Sequence, residues 1–131
     1  MLSRTYVVRH EERGIGYYTL THVSVLQTEA PKKLGRGMPS TIPAILMARF
    51  AVDIRYQGIG LGRSLFIDAL QRTWVVMQIG AAPVRFFIVD AKDEEAKAFY
   101  ERFDMQSSPQ NPMRLYLSYK TLRLSFEAEQ N

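Results

Sequence analysis

The 131-residue chain is 47% apolar and 23% charged, which is typical of one globular domain and excludes a disordered segment. It has no cysteine and only two histidines, which excludes disulfides, thiolate chemistry and a zinc site built from histidine without carboxylates. The net charge of +4 is concentrated in residues 31–72, where seven basic and two acidic side chains give +5. This asymmetry indicates an anionic ligand such as phosphate, with a solvated basic face as the alternative.

The N-terminal residues predict a β-hairpin. Residues 6–9 lead into a turn made of charged residues and Gly14, and alternating residues follow over 15–26. His10 and His22 are ordinary strand residues in this interpretation. No apolar run precedes the hairpin, and no run of about eighteen apolar residues occurs, so neither a signal peptide nor a membrane span is predicted. We therefore expect a cytoplasmic protein.

The middle of the chain predicts a loop, a buried strand and a helix. Residues 30–43 hold three prolines, two glycines and three basic residues, which predicts a long loop of the kind that often carries function. Residues 44–52 are almost entirely apolar, as expected of a strand buried on both faces, and the run ends at Asp53. After a glycine-rich turn, apolar residues at helical spacing predict a helix to about Ile79, with Gly80 just beyond its end.

The C-terminal part predicts a strand over residues 85–89, a short helix, a tyrosine-rich strand over 113–122 and a polar tail. Asp93 is the predicted cap of the helix. Glu94 and Glu95 in its first turn and Arg102 in its last match the helix dipole. The element order is therefore two strands, then strand–helix–strand–helix, then a strand, which indicates an α/β domain.

The glycine-rich turn Gln57-Gly58-Ile59-Gly60-Leu61-Gly62 follows the buried strand and opens the long helix. Glycines let the backbone approach a ligand closely, and the free N–H groups of the first helical turn face it with the positive end of the dipole. The turn is thus suited to a pyrophosphate, with a plain strand-to-helix turn as the alternative. It lacks the Gly-Lys-Ser/Thr of a P-loop, and no acidic residue closes a following strand as a dinucleotide fold requires.

Residues 52–62, with Gln57-x-x-Gly60-x-Gly62 at their centre, resemble the acetyl-CoA pyrophosphate loop of the GNAT N-acetyltransferases. Residues 93–103 resemble that family's later helix, which carries its catalytic tyrosine. Residues 29–39, 42–43 and 49–53 are similar to the GNAT toxins of bacterial toxin–antitoxin modules, which acetylate the amino group of aminoacyl-tRNA. The resemblance covers nearly the whole chain and implies a single GNAT domain over residues 1–131, with a mixed central sheet and flanking helices.

Two features depart from the family pattern. The family begins with a strand and two helices that shape one wall of the acceptor site, whereas this sequence starts at the hairpin, so an N-terminally shortened GNAT fold is expected. The family's Phe-Gly-Phe after the tyrosine helix is Phe103-Asp104-Met105 here. Aspartate tolerates a left-handed turn better than most residues, so the fold is expected to be kept.

The resemblance implies roles for particular residues. The backbone of Phe50, Ala51 and Val52 would pair with the pantetheine arm, and the Val52 N–H would face the thioester oxygen; a plain core strand is the alternative. Tyr100 would protonate the departing CoA thiolate as general acid, with a packed core tyrosine as the alternative. The other acetyl-CoA-binding residues that the resemblance implies are Gln57, Gly58, Ile59, Gly60, Leu61, Gly62 and Arg63.

No general base is evident in the sequence, where Glu29, Asp53 and Asp90 are candidates by proximity alone. An α-amino group has a pKa near ~7.7, against about 10.4 for lysine. Freeing it at pH 7 therefore costs roughly 1 kcal/mol instead of roughly 4.6 kcal/mol. A site without a base favours aminoacyl-tRNA over a protein lysine.

The basic residues have two interpretations each. Arg49, inside an otherwise apolar strand, predicts a buried ion pair with Asp53 or Asp90, with acceptor contact as the alternative. The candidate phosphate contacts to tRNA are the three basic residues of the long loop, Lys32, Lys33 and Arg36. A solvated loop is the alternative for these three.

Taken with the resemblance, the sequence predicts an acetyl-CoA-dependent N-acetyltransferase, most like the toxins that acetylate the α-amino group of aminoacyl-tRNA and so block translation. The partners implied are acetyl-CoA, aminoacyl-tRNA, a ribbon-helix-helix antitoxin and a second copy in a homodimer, with no metal. Two alternatives stay open. One is a GNAT acting on a small amine or a protein N-terminus, and the other is a truncated CoA-binding domain without activity.

Overall fold

The computed structural model describes residues 3–79 and 83–129. The strands are β1 (Ser3–His10), β2 (Arg13–Leu26), β3 (Thr41–Val52), β4 (Phe86–Asp90), β5 (Gln106–Ser107) and β6 (Arg114–Ser118). The helices are α1 (Lys32–Gly35), α2 (Leu61–Gln78), α3 (Glu94–Glu101) and α4 (Tyr119–Glu129), with 3₁₀ turns at Gln27–Glu29 and Ile54–Tyr56. Gly80, expected just beyond α2, lies outside the described residues.

The strands form one mixed sheet in the order β1-β2-β3-β4-β6-β5. β3 and β4 are parallel, and the other neighbours are antiparallel. Helices α2, α3 and α4 cover one face of the sheet, and α1 covers part of the other. Within the described ranges, no helix is long and apolar enough to cross a membrane.

The predicted N-terminal hairpin is confirmed, but its turn is not made by Gly14. Glu11 and Glu12 form the turn with φ angles of 50° and 64°. His10 pairs with Arg13 across it, and Gly14 already lies within β2. A two-residue turn with positive φ at both positions matches the twist of the flanking strands, so the hairpin closes before the glycine is reached.

Residues 30–43 are more ordered than the predicted loop. Their backbone forms the short helix α1, and the Gln27 side-chain amide donates to the Gly35 carbonyl at 2.7 Å. Leu34 and Met38 pack against a small core on the second face of the sheet, which includes Phe86. The segment is therefore a cover over one end of the sheet, held there by its apolar side chains.

β3 begins at Thr41, before the predicted start at Ala44, and only its first half is buried. The β2–β3 register shifts by one residue within this strand. Thr19 pairs with Arg49 and Leu20 pairs with Met47, so Ala48 has no partner. Such a β-bulge bends the strand. Pairing of β3 with β4 ends at this point, at Met47. The expectation of a strand buried on both faces is therefore wrong for the second half of β3, which is no longer paired with β4.

The main core lies between the sheet and the three longer helices. The apolar stripe predicted for α2 is confirmed, since Leu65, Phe66, Ala69, Leu70 and Met77 are buried there and Leu61 and Val76 are half-buried. Phe66 is central, with ring centroids 4.7 to 5.7 Å from four aromatic rings, those of Phe87, Phe99, Tyr100 and Phe103. This packing fixes α3 against the start of α2.

α3 begins as predicted, with the Asp93 carboxylate accepting the Ala96 N–H at 2.8 Å. Arg102 is not in its last turn but at the C-cap, directly after Glu101. Asp104 has a φ of 67°, as expected for the left-handed turn. The departure from Phe-Gly-Phe is thus accommodated by this fold.

The C-terminal residues form a helix where a longer strand and a polar tail were predicted. β6 ends at Ser118, whose hydroxyl oxygen accepts the Thr121 N–H at 3.2 Å and helps to start α4. The rings of Tyr119 and Phe126 stack on Trp74, with centroids 5.5 and 6.0 Å away. Because Tyr119 and Phe126 are two helical turns apart, packing on α2 selects the helix over an extended strand.

Candidate active site

A cavity of about 660 Å³ opens where β3 leaves β4. The second half of β3 forms one side, and Gln57, Gly58 and Gly62 line a second side. The end of β4, the connection that follows it and α3 complete the lining, including Asp90 and Tyr100. The β-bulge thus creates a space that three separate segments of the sequence enclose.

The β3 edge presents unpaired backbone groups to this cavity. The Asp53 N–H donates to the Ile15 carbonyl of β2 at 2.7 Å. Because backbone groups alternate in direction along a strand, the N–H groups of Phe50 and Val52 point away from β2. Pairing with β4 has already ended, and the Val52 carbonyl on this edge accepts the Gln57 side-chain amide at 3.0 Å. Two N–H donors therefore face the space where a ligand can lie.

The glycine turn has the backbone of a ligand cradle. Gly58 and Gly60 have φ angles of 83° and 85°, and a Cβ added to either would meet no atom within 4 Å. The first hydrogen bond of α2 runs from the Ser64 N–H to the Gly60 carbonyl, so the three preceding N–H groups have no acceptor within the helix. The open space and the free N–H groups coincide at one helix end, where an anion is favoured.

The remaining loop residues have different surroundings. Ile59 is 70% exposed, whereas Leu61 is half-buried at the start of α2. The Arg63 guanidinium lies over the Phe103 ring, 5.3 Å from its centroid. These three residues and Gly60 are not among the residues that line the cavity.

Tyr100 is on the cavity wall formed by α3, and only 7% of it is exposed. Its ring packs against Phe66 and Phe99, with centroids 5.3 and 5.4 Å away. Burial raises the pKa of its phenol to about 12. The hydroxyl is therefore protonated at neutral pH, and it belongs to a residue that lines the same cavity as the β3 edge.

The carboxylates considered as bases are paired with arginines or lie outside the cavity lining. Arg55 pairs with Asp53 at 3.1 Å, and its hydrogen bonds hold the pKa of Asp53 below its usual range. Asp90 lines the cavity but accepts two hydrogen bonds from Arg114, at 2.6 and 2.7 Å. Glu29 does not line the cavity, and its backbone carbonyl accepts the Ser108 hydroxyl at 2.6 Å. None of the three is arranged as a free base beside Tyr100.

The predicted buried ion pair of Arg49 is wrong. Its two expected partners are paired with other arginines, and Arg49 itself is exposed on the cavity lining. The β-bulge explains the difference, because it places Arg49 in the half of β3 that β4 no longer covers. The alternative interpretation of Arg49, a contact with the acceptor, stays a prediction.

The three basic residues of α1 and its flank, Lys32, Lys33 and Arg36, are exposed and do not line the cavity with Tyr100. Lys32 and Arg36 instead line a shallow cavity of about 430 Å³. An acceptor that enters the cavity beside Tyr100 and also contacts these basic residues has to be large enough to reach both.

The structure adds cavity residues that the sequence did not indicate, among them Tyr17, Lys92, Glu95 and Phe99. Tyr17 could have been found from the alternation of β2 once its pairing with Ala51 was known. That pairing depends on the bulge, for which the sequence carries no signal that we recognise. Across residues 3–79 and 83–129, no three histidine or acidic side chains are grouped so that they could hold a metal ion.

Comparison with known proteins identifies the family. No family model matches the chain. The tRNA-acetylating toxin of Mycobacterium tuberculosis (strain ATCC 25618 / H37Rv) is 40% identical over 121 residues, which is 92% of this chain and 72% of that protein. The chain belongs to the family of tRNA-acetylating GNAT toxins. The probable toxin TacT of Sinorhizobium fredii (strain NBRC 101917 / NGR234) is 32% identical over 129 residues, 92% of this chain and 71% of that protein.

Solved structures of the family confirm the predicted fold. A tyrosine-to-phenylalanine variant of KacT matches with a TM-score of 0.84 at 27% identity, over 95% of this chain and 75% of that one. AtaT in complex with acetyl-methionyl-tRNAfMet matches with a TM-score of 0.83 at 27% identity, with the same coverage. A variant of AtaT bound to the C-terminus of the antitoxin AtaR and to acetyl-CoA matches with a TM-score of 0.76 at 25% identity, over 95% and 72%. The chain is thus a homologue of acetyltransferase toxins that use acetyl-CoA.

Proposed function

We propose that this protein transfers the acetyl group of acetyl-CoA to the α-amino group of aminoacyl-tRNA, in the cavity between β3 and α3. One observation carries the proposal: a free strand edge, a glycine turn at a helix N-terminus and a buried, protonated tyrosine enclose a single cavity. The family relatives indicate the acceptor, since one is a tRNA-acetylating toxin and another is complexed with acetyl-methionyl-tRNA. We propose residues 1–131 as one domain acting in the cytoplasm, with no metal.

The proposed acetyl-CoA site uses backbone more than side chains. The N–H groups at the start of α2 would bind the pyrophosphate, together with the turn at Gly58 and Gly60. The N–H groups of Phe50 and Val52 would pair with the pantetheine arm, and the Val52 N–H would donate to the thioester oxygen. Gln57 supports this edge through its hydrogen bond to the Val52 carbonyl. The chemistry fits, because a diphosphate needs donors and open space, and both are present.

Tyr100 is proposed as the general acid. The acceptor nitrogen forms a bond to the thioester carbon, the carbon–sulfur bond breaks, and the phenol supplies a proton to the departing sulfur. The amine loses its proton to solvent, and the Tyr100 phenolate takes up a proton from water to become neutral again. The raised pKa of Tyr100 ensures that its proton is in place before reaction at neutral pH.

Two of the carboxylates considered as bases, Asp53 and Asp90, are paired with arginines. Because neither is a free proton acceptor, we propose that the amine arrives substantially deprotonated, which favours an α-amine as acceptor. An α-amino group with a pKa near ~7.7 meets that condition near neutral pH, and a lysine side chain with a pKa of about 10.4 does not. This preference holds for a small α-amine as well, so the acceptor has to be tested directly.

The larger partners are also part of the proposal. Lys32, Lys33 and Arg36 would contact phosphates of the tRNA body while its 3′ end occupies the cavity. An antitoxin of the ribbon-helix-helix class is proposed as the inhibitory partner, because AtaT is bound to the C-terminus of the antitoxin AtaR. A homodimer is proposed as the assembly.

Two measurements on the whole chain test the function. Calorimetric titration with acetyl-CoA measures binding, and a turnover assay then compares a panel of charged tRNAs with a lysine peptide and a small amine. Acetylation of aminoacyl-tRNA above the other acceptors is the expected result. Turnover restricted to the small amine would support the small-amine GNAT instead. Binding of acetyl-CoA without turnover of any amine would show a CoA-binding domain without activity.

A further inference from the structure

Tyr17 and Arg49 are neighbours beside the cavity mouth, on the sheet face opposite the three long helices. In the β2–β3 ladder Tyr17 pairs with Ala51, and Arg49 pairs with Thr19. Residues two apart on a strand share a face, so Tyr17 and Arg49 are diagonal neighbours on it. Both line the cavity, Tyr17 with 37% of its surface exposed and Arg49 with an exposed side chain.

The fold does not explain the charge on Arg49. Across the ladder, the buried Thr19 hydroxyl is already hydrogen-bonded to Thr5 at 2.8 Å. The nearby carboxylates of Asp53 and Asp90 bind other arginines. Within the described part of the chain, no side chain pairs with Arg49. Its guanidinium is therefore an uncompensated cation at the entrance to the site.

An exposed aromatic ring beside a free guanidinium is the chemistry that binds single-stranded nucleic acid. A base stacks on the ring, and the guanidinium donates two hydrogen bonds to a phosphate. In aminoacyl-tRNA the amino acid is esterified to the terminal ribose of a single-stranded 3′ end. When the α-amine is beside Tyr100, that terminal nucleotide has to lie at the cavity mouth.

We infer that Tyr17 and Arg49 form the subsite for the single-stranded 3′ end of the acceptor, with a base on the Tyr17 ring and a phosphodiester on Arg49. The inference rests on the proposed function. The α1 segment supports it, because Leu34 and Met38 of that segment pack on the same sheet face. The basic residues around α1 are thus on the face that carries Arg49. A tRNA stem leaving the subsite along this face would pass them.

Two acceptors separate the roles of the pair. One is the aminoacyl-tRNA that the wild type accepts best from a panel of charged tRNAs, and the other is the same amino acid esterified to adenosine, which has no phosphate. The variants are Arg49→Gln, Tyr17→Ala and the conservative Tyr17→Phe. Arg123→Gln is the matched control, since Arg123 is an exposed arginine of α4 on the opposite face and its loss changes the net charge equally.

Arg49→Gln should raise KM for the aminoacyl-tRNA at least tenfold, because a hydrogen-bonded charge pair is lost. It should leave kcat, acetyl-CoA affinity and KM for the aminoacyl-adenosine unchanged, and it should reduce the salt slope of tRNA binding by about 0.7. Tyr17→Ala should raise KM for both acceptors about fivefold or more, and Tyr17→Phe should restore the wild-type values.

Several outcomes would overturn the inference. In the first, Arg49→Gln affects KM no more than Arg123→Gln does. In the second, it raises KM equally for both acceptors, which would indicate a local structural role. A wild type that binds acetyl-CoA but acetylates no aminoacyl-tRNA would instead overturn the proposed function, and the inference with it. The wild type therefore tests the function, and the variants test the subsite.

Discussion

Replacing Gly60 with valine tests whether the glycine turn is the acetyl-CoA cradle. Gly60 has a φ of 85°, and an added Cβ would meet no protein atom within 4 Å. The substitution therefore lowers the free energy of unfolding only by the backbone strain of a left-handed residue, about 1–2 kcal/mol. The binding free energy of a ligand that lies in that open space falls by far more. Blocking two of the free N–H groups from phosphate, at about 1.5–3 kcal/mol each, weakens acetyl-CoA binding roughly 10²- to 10⁴-fold.

Gly37 provides the matched control for this experiment. It has a φ of 77°, and an added Cβ there also meets nothing within 4 Å, but it follows α1 and does not line the cavity. Gly37→Val should show a similar fall in the free energy of unfolding in urea and bind acetyl-CoA as tightly as the wild type in calorimetry. Wild-type affinity in a folded Gly60→Val protein would refute the assignment, and so would an equal loss of affinity in Gly37→Val.

Three further predictions concern the chemistry and the acceptor. Tyr100→Phe should lower kcat about 10²- to 10⁴-fold in single-turnover assays and leave acetyl-CoA affinity unchanged, whereas a fully active variant would make Tyr100 a core residue only. Because burial raises its folded-state pKa from 10 to about 12, the stability due to Tyr100 is present below pH 10 and lost as pH rises towards 12. Between pH 7 and pH 12, the free energy of unfolding in urea should therefore fall by up to about 2.7 kcal/mol less in Tyr100→Phe than in the wild type. Equal falls in the two proteins would contradict the raised pKa. Neutralising Lys32, Lys33 and Arg36 together should weaken binding of all tRNA species alike, without changing acetyl-CoA affinity. The slope of log affinity against log salt concentration should become shallower by about 0.7 to 0.9 per lost contact, and unchanged slopes would place the tRNA contacts elsewhere.

Local chemistry explains why parts of the fold could be predicted. The Asp93 cap, the stripe on α2 and the left-handed turn at Asp104 depend on residues within a few positions of one another. The same is true of the glycine turn, whose geometry follows from its own residue types. Helix α4 was missed because its stabilising contact is with Trp74, more than forty residues earlier in the chain.

The candidate site divides in the same way. By itself, the sequence determined the residue types that can contact a diphosphate, the tyrosine that can act as an acid, and the family pattern that connects them. Only the tertiary structure decided that Ala48 is bulged, that β3 therefore separates from β4, and that Arg49 is left unpaired beside Tyr17. The physical reason is that a bulge and the free partners it creates depend on the pairing of distant strands, which is settled by the energy of the whole sheet and not by any local run of residues.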